Sequence, residues 1–182
     1  MKITNYLLKS VLTGTLAIML SSTYAFPQAA TPTKQTTNLS QKVRHELVML
    51  PFFTIFDNLE YRVDGSTVTL MGKVTRPVLK TDAQRVVERI EGVEHVNNEI
   101  QVLPTSEIDN HIRWQMARVI YGNPELNRYG WGTQPSIRII VENGRVTLEG
   151  VVDNQMDKQV AGMRANSVPG VFSVTNDLVV RG

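Results

Sequence analysis

An α+β fold made of two tandem copies of one αββαβ unit is what this sequence predicts, on three observations. VTLMGKV at Val68–Val74 returns as VTLEGVV at Val146–Val152, and the 78-residue offset then runs without a gap to Val102 and Val180. Along that offset fall identical pairs, among them Leu70/Leu148, Gly72/Gly150, Gly92/Gly170 and Asn98/Asn176. Ahead of each copy lies a turn dipeptide between apolar runs, Asp64-Gly65 and Asn143-Gly144, which is a strong hairpin signal. An internal period fixes architecture before local propensity is consulted. A unit used twice is also more often a binding or scaffolding module than a catalytic one.

The elements follow in order. Residues 1–25 read as a secretory signal peptide: Lys2 and Lys9 make a basic start, Val11–Leu20 is apolar, and Ser21–Ala25 is a small-residue exit. An apolar run of about ten residues is short of the ~20 that a membrane span needs, so an uncleaved anchor is the second reading. Residues 26–38 (FPQAATPTKQTTN) are rich in Pro, Thr and Gln without periodicity and read as a flexible lead-in.

The first unit spans 39–104. Leu39, Val43, Leu47 and Leu50 mark one face of a helix over Ser40–Leu50, and Pro51 stops it. Strands over Glu60–Val63 and Thr67–Thr75 flank the Asp-Gly turn. A helix over Pro77–Glu91 ends at Gly92, where a left-handed cap is wanted, and Val93–Leu103 is the last strand. The second unit, 105–182, repeats the order. Ser106–Tyr121 is a helix with Glu107 and Asp109 in its first turn, where the helix dipole favours anions. Strands Ser136–Val141 and Arg145–Val152, a helix over Gln155–Ser167, Gly170 and a strand over Val171–Val180 complete it. Each unit becomes a three-stranded mixed sheet packed on two helices, the last strand parallel to a hairpin strand by a right-handed crossover. The other face of each sheet must then be covered or tolerate water.

Composition narrows the function. All 17 acidic residues, and all of the 19 basic ones except Lys2 and Lys9, lie beyond Ala25. The exported part is therefore neutral by formal count, and nucleic-acid binding, which usually shows a net basic domain or stripe, is not expected. There is no cysteine, so the exported fold uses no disulfide staples and no lipid can be attached through one. His45, His95 and His111 form no ligand cluster, and no nucleophile-elbow motif is present. No catalytic residue, metal site, cofactor or small-molecule substrate is expected, and the chain reads as a non-enzyme.

The second unit carries the candidate binding residues. On the helix Ser106–Tyr121, Ile108, Ile112, Gln115, Met116 and Val119 share the stripe expected to face inward. Trp114, Arg118 and Tyr121 lie outside it and neighbour one another at i, i+4 and i+7. The long connector Gly122–Pro135 adds Arg128, Tyr129 and Trp131. Aromatic rings with a polar tip beside arginines suit a water–membrane boundary, and arginine can fork onto phosphate. Packing of Trp114 and Tyr121 against the first unit is the competing reading. Phe52, Phe53, Ile55 and Phe56 exceed what a connector needs and predict a cap over the sheet edge or the domain interface, or a partner-docking patch.

The order of elements, the V-T-L-x-G-x-V strand and the G-V-x-x-V-x-N-x-I/L strand resemble the BON domain of bacterial envelope proteins, over roughly Ser40–Val102 and Ser106–Val180. A leader followed by two such units is similar to the osmotically inducible periplasmic proteins and the related outer-membrane lipoproteins, without the lipidation cysteine of the latter. The resemblance implies a periplasmic protein, peripheral to a membrane, that attaches without catalysis to phospholipid or to other envelope components and is tied to envelope or osmotic stress. The partner is expected to be a membrane phospholipid surface, engaged through Trp114, Arg118, Tyr121, Arg128, Tyr129 and Trp131. The alternative is a periplasmic protein-interaction adaptor that meets an envelope protein. The oligomeric state is left open.

Overall fold

A computed structural model describes residues 34–131 and 134–182, with side chains from Asn38 onward. The expected signal peptide and the expected lead-in up to residue 33 lie outside the described residues. Helix α1 (Lys34–Val48) precedes the hairpin β1 (Asn58–Asp64) and β2 (Thr67–Val74), helix α2 (Pro77–Glu88), and short strands β3 (His95–Asn98) and β4 (Gln101–Val102). The second half repeats this with α3 (Glu107–Tyr121), a 3-10 turn (Asn127–Gly130), β5 (Ile137–Glu142), β6 (Arg145–Val152), α4 (Gln155–Asn166), β7 (Ser173–Asn176) and β8 (Val179–Val180). The expected α+β architecture of two repeated units is present, with each sheet mixed: the hairpin is antiparallel and the third strand lies parallel to β2 or β6.

That third strand is one strand with a two-residue interruption. Thr67 pairs with His95 and Lys73 with Gln101, the same register on both sides of the break, and Arg145/Ser173 and Val151/Val179 repeat it. The identical pair Asn98/Asn176 accounts for the break. Their side-chain amides donate to the carbonyls of Lys80 (2.9 Å) and Lys158 (2.7 Å), tying strand to helix. Their amide oxygens accept from the Ile100 (3.2 Å) and Leu178 (3.4 Å) backbone N–H groups. Ile100 and Leu178 thereby turn inward and are buried.

Two element ends differ from expectation. Residues 34–38 of the supposed lead-in belong to helix α1. Once a helix is nucleated, each added residue gains a hydrogen bond, and the polar run there contains no proline to stop it. Helix α2 closes at Glu88, and turns through Ile90 and Val93 lead to Gly92 at φ +97°.

Each half has its own apolar core, with α1 and α2 over the first sheet and α3 and α4 over the second. The halves meet through the opposite, helix-free faces. Glu60, Thr69 and Lys73 alternate with core residues on the first sheet, as Ile140, Glu142 and Glu149 do on the second. Thr69 and Ile140 are buried although they point away from their own helices, and Lys73 Nζ lies 2.5 Å from Glu142 Oε2. The connector after α1 completes the junction. Ile55 and Phe56 pack into the core of the second half, and the Ile139 N–H donates to the Ile55 carbonyl at 2.8 Å.

This junction contains one electrostatic misfit. Glu149 has a buried Oε2 without a hydrogen-bond partner. Burial, then the charges of Glu60 and Asp177, push its carboxyl above the usual range, while Asn58 and Lys73 pull the other way. Protonation therefore favours the fold. The folded-state pKa exceeds the unfolded one, so the native state binds more protons and stability falls as pH rises through the raised value. Glu149→Gln is expected to stabilise the protein by about 1 kcal/mol near pH 7. The gain should shrink at acid pH, as the wild type itself takes up the proton. Urea melts at both pH values measure it, and coincident midpoints at pH 7 would contradict it.

Candidate functional site

The buried carboxylate of Asp57, at the mouth of β1, organises the junction locally. Its Oδ2 accepts from the Thr54 N–H (2.9 Å) and hydroxyl (2.6 Å), and its Oδ1 from the Thr75 N–H (2.6 Å) and hydroxyl (2.8 Å). The connector is thereby pinned to the end of β2. Between that connector and α3 opens a cleft of about 990 Å³, walled by Phe53, Phe56 and Trp114 and containing Arg76, Arg113 and Arg138.

Helix α3 is turned about its axis relative to the stripe read from sequence. Ile112, Met116 and Ile120 face the core, whereas Ile108 is 72% exposed. Two polar residues set the rotation. Ser106 caps the helix by accepting from the Asp109 N–H at 3.1 Å. Asp109 is itself buried and accepts from the Asn143 (2.9 Å) and Gly144 (2.8 Å) N–H groups of the β5–β6 turn. One turn on, Arg113 donates to the Val141 carbonyl (2.6 Å) and to Asn110 Oδ1 (2.7 Å). Apolar periodicity alone cannot reveal this, because the inward row contains an Asp and an Arg. The i, i+4 spacing of Asp109 and Arg113 beside a capping Ser106 was the available signal.

The six candidate binding residues separate into an exposed set and a built-in set. Trp114 is 66% exposed, with its ring edge-on to Phe56 at a centroid distance of 5.3 Å. Trp131 is 72% exposed. Arg118 is exposed and makes no ion pair among the described residues. Trp114 lines the cleft and Trp131 a neighbouring hollow of about 320 Å³. The two share Ile55 and Pro135 as a common wall, so both indoles border one stretch of surface.

Tyr121 and Tyr129 are structural. The Tyr121 hydroxyl donates to the Ile137 carbonyl, and burial pushes its pKa up to about 12. Tyr129 plugs the second core together with Leu126, so the long connector is anchored by its own apolar side chains. Its hydroxyl donates to Asp157 and accepts from the Asp153 N–H at 2.9 Å, and burial, with the Asp157 hydrogen bond, raises its pKa. Arg128 joins this network, stacked on Tyr129 at 4.7 Å and paired with Asp157 and Asp153. Its charge is already matched within the fold.

Of the large apolar residues after α1, Phe53 and Arg138 stack at 4.7 Å on the wall of the cleft, whereas Phe52 stands exposed at φ +67° under Arg76, 5.2 Å away. Among the described residues there is no grouping of His, Asp and Glu able to hold a metal, and no helix is long and apolar enough to cross a membrane.

A family model described as the BON domain matches residues 35–104 and 125–182. No curated protein matches the chain. Among solved structures, the chain is similar to CdsD, a structural protein of the type III secretion system of Chlamydia trachomatis. The identity is 11% and the TM-score 0.32, over 79% of this chain and 92% of that one. A structure of the C-terminal domain of CdsD aligns at 12% identity and a TM-score of 0.29, over 80% of this chain and 98% of that one. Likeness of that degree carries no functional argument.

Proposed function

The chain belongs to the BON domain family, and from that premise we propose a non-enzymatic, periplasmic binding protein that docks peripherally on anionic phospholipid surfaces of the envelope. The observation that carries the reading is the exposure of Trp114 and Trp131 along one shared wall, beside an arginine that the fold does not neutralise. Indoles partition into the headgroup boundary, and transfer of each buries apolar area worth roughly 2 kcal/mol. Arg118 adds a phosphate contact that salt weakens. Two such rings plus one charge suit reversible peripheral attachment.

Co-sedimentation with vesicles of phosphatidylglycerol in phosphatidylcholine tests this. The wild type is expected to pellet, and Trp131→Ala and Trp114→Ala each to weaken partitioning by about tenfold or more. Arg118→Gln should flatten the salt dependence. Equal pelleting of all variants, or of none, removes the reading. A second reading, a protein adaptor in the same compartment, is favoured by the exposed Phe52 held over the junction. It predicts that Phe52→Ala, and not Trp131→Ala, abolishes capture of an envelope protein in the absence of lipid.

A further inference from the structure

Charges withdrawn from water are ordinarily paired, and the cleft between the halves departs from that rule. Arg113 is only 4% exposed and Arg138 is half-buried, yet among the described residues neither forms an ion pair, and neither does the exposed Arg76. Their hydrogen bonds go to neutral oxygens. Arg113 donates to Asn110 and Val141, and Arg138 to the Thr54 carbonyl (3.0 Å) and Gln134 Oε1 (2.7 Å). The Arg113 Nε–H is buried with no acceptor at all, a condition that costs about 1–3 kcal/mol in a folded protein. Nearby carboxylates compensate only at a distance. Both oxygens of Asp57 are taken by Thr54 and Thr75, and both oxygens of Asp109 by the β5–β6 turn. Burial lowers the pKa of Arg113 and of Arg138, the mark of cations held without a close counterion. The same cleft is lined by the rings of Phe53, on which Arg138 stacks, and of Phe56 and Trp114, in a volume suited to a small organic ligand.

We infer that the cleft between the two halves is a binding site for a phosphate ester with an apolar body, its oxyanion held by Arg76, Arg113 and Arg138 and its body laid along Phe53, Phe56 and Trp114. The site shares Trp114 with the proposed membrane contact but not Arg118 or Trp131, and no bond is made or broken in it. Guanidinium groups present several N–H donors in a fixed fork that fits tetrahedral oxyanions, and the aromatic wall favours a ligand with more than a bare anion to bury. The same chemistry is offered by a soluble ester and by a lipid headgroup.

The experiment uses Trp131→Phe protein, in which Trp114 is the only indole, with n-octyl phosphate below its micellar concentration as the probe. Saturable change in Trp114 fluorescence is expected, with inorganic phosphate and neutral octyl glucoside each at least about tenfold weaker. Arg138→Gln and Arg76→Gln should each lose about tenfold in affinity. Arg76 is exposed and its side chain makes no hydrogen bond among the described residues beyond stacking on Phe52, so the second variant keeps the test valid if the first fails to fold. Arg118→Gln, added to the same protein, should bind octyl phosphate normally while flattening the salt dependence of vesicle attachment, which separates this site from the membrane reading. Displacement of octyl phosphate by phosphatidylglycerol vesicles would identify the headgroup as the source, and lack of displacement a soluble ester. Octyl phosphate binding no better than octyl glucoside, or unchanged by Arg76→Gln, overturns the inference.

Discussion

Asp57→Ala is expected to lower stability by about 3–5 kcal/mol. The carboxylate is fully buried and accepts four hydrogen bonds, two of them from the backbone N–H groups of Thr54 and Thr75. Removing it strands those donors, each at about 1–3 kcal/mol. It also removes a negative charge that acts on both Arg113 and Arg138, which have no ion-pair partner among the described residues. In a protein of this size the loss corresponds to a fall in melting temperature of roughly 10 °C. Asp57→Asn should recover part of it, because the amide oxygen still accepts on one side. Differential scanning calorimetry of the three proteins is the measurement, and a fall of less than about 3 °C for the alanine variant would show that the connector is not anchored there.

Gly150→Ala is expected to cost about 3 kcal/mol or more. Gly150 sits at φ +119°, and a Cβ built on it runs into the Ser136 carbonyl on the adjoining strand. Strain and collision therefore act together, and relief requires the β5–β6 pairing to open. Gly92 separates the two effects. Its φ of +97° is comparable, but the space around it is open, so Gly92→Ala should cost only the backbone strain, about 1 kcal/mol. Equal chemical-denaturation midpoints for the two variants would show that the close approach at Gly150 contributes nothing. Gly72, the counterpart in the first half at φ +108°, meets the Asn58 carbonyl in the same way. A shared backbone collision, and not a shared ligand, accounts for that identical pair.

The repeat made most of this architecture legible. The offset of 78 residues, the two turn dipeptides and the paired glycines lead directly to the hairpins and crossovers observed. What they could not reveal depended on long-range partners. The inward row of α3 contains Asp109 and Arg113, whose partners lie about thirty residues away in sequence on the β5–β6 hairpin, so the apolar stripe included Ile112 and Met116 correctly but also the exposed Ile108, and it missed Ile120. Tyr121 and Tyr129 looked like companions of the two tryptophans. Each instead has a buried hydroxyl partner, Ile137 or Asp157, that neither spacing nor composition announces. The cleft was invisible for the same reason. Its arginines come from α3, from β5 and from the start of α2, and only the sheet-to-sheet junction gathers them.

The lodging of Ile55 and Phe56 within the second half has a wider consequence. Strand β5 ends its sheet, and the Ile55 carbonyl occupies a hydrogen-bonding position on that rim. Cutting the duplicate free would bare a strand margin able to recruit another chain, besides opening a hole where the phenylalanine had been. Duplication here yielded interlocked halves, not beads on a string. Neither copy could drift toward independence without first replacing what its sibling lends it.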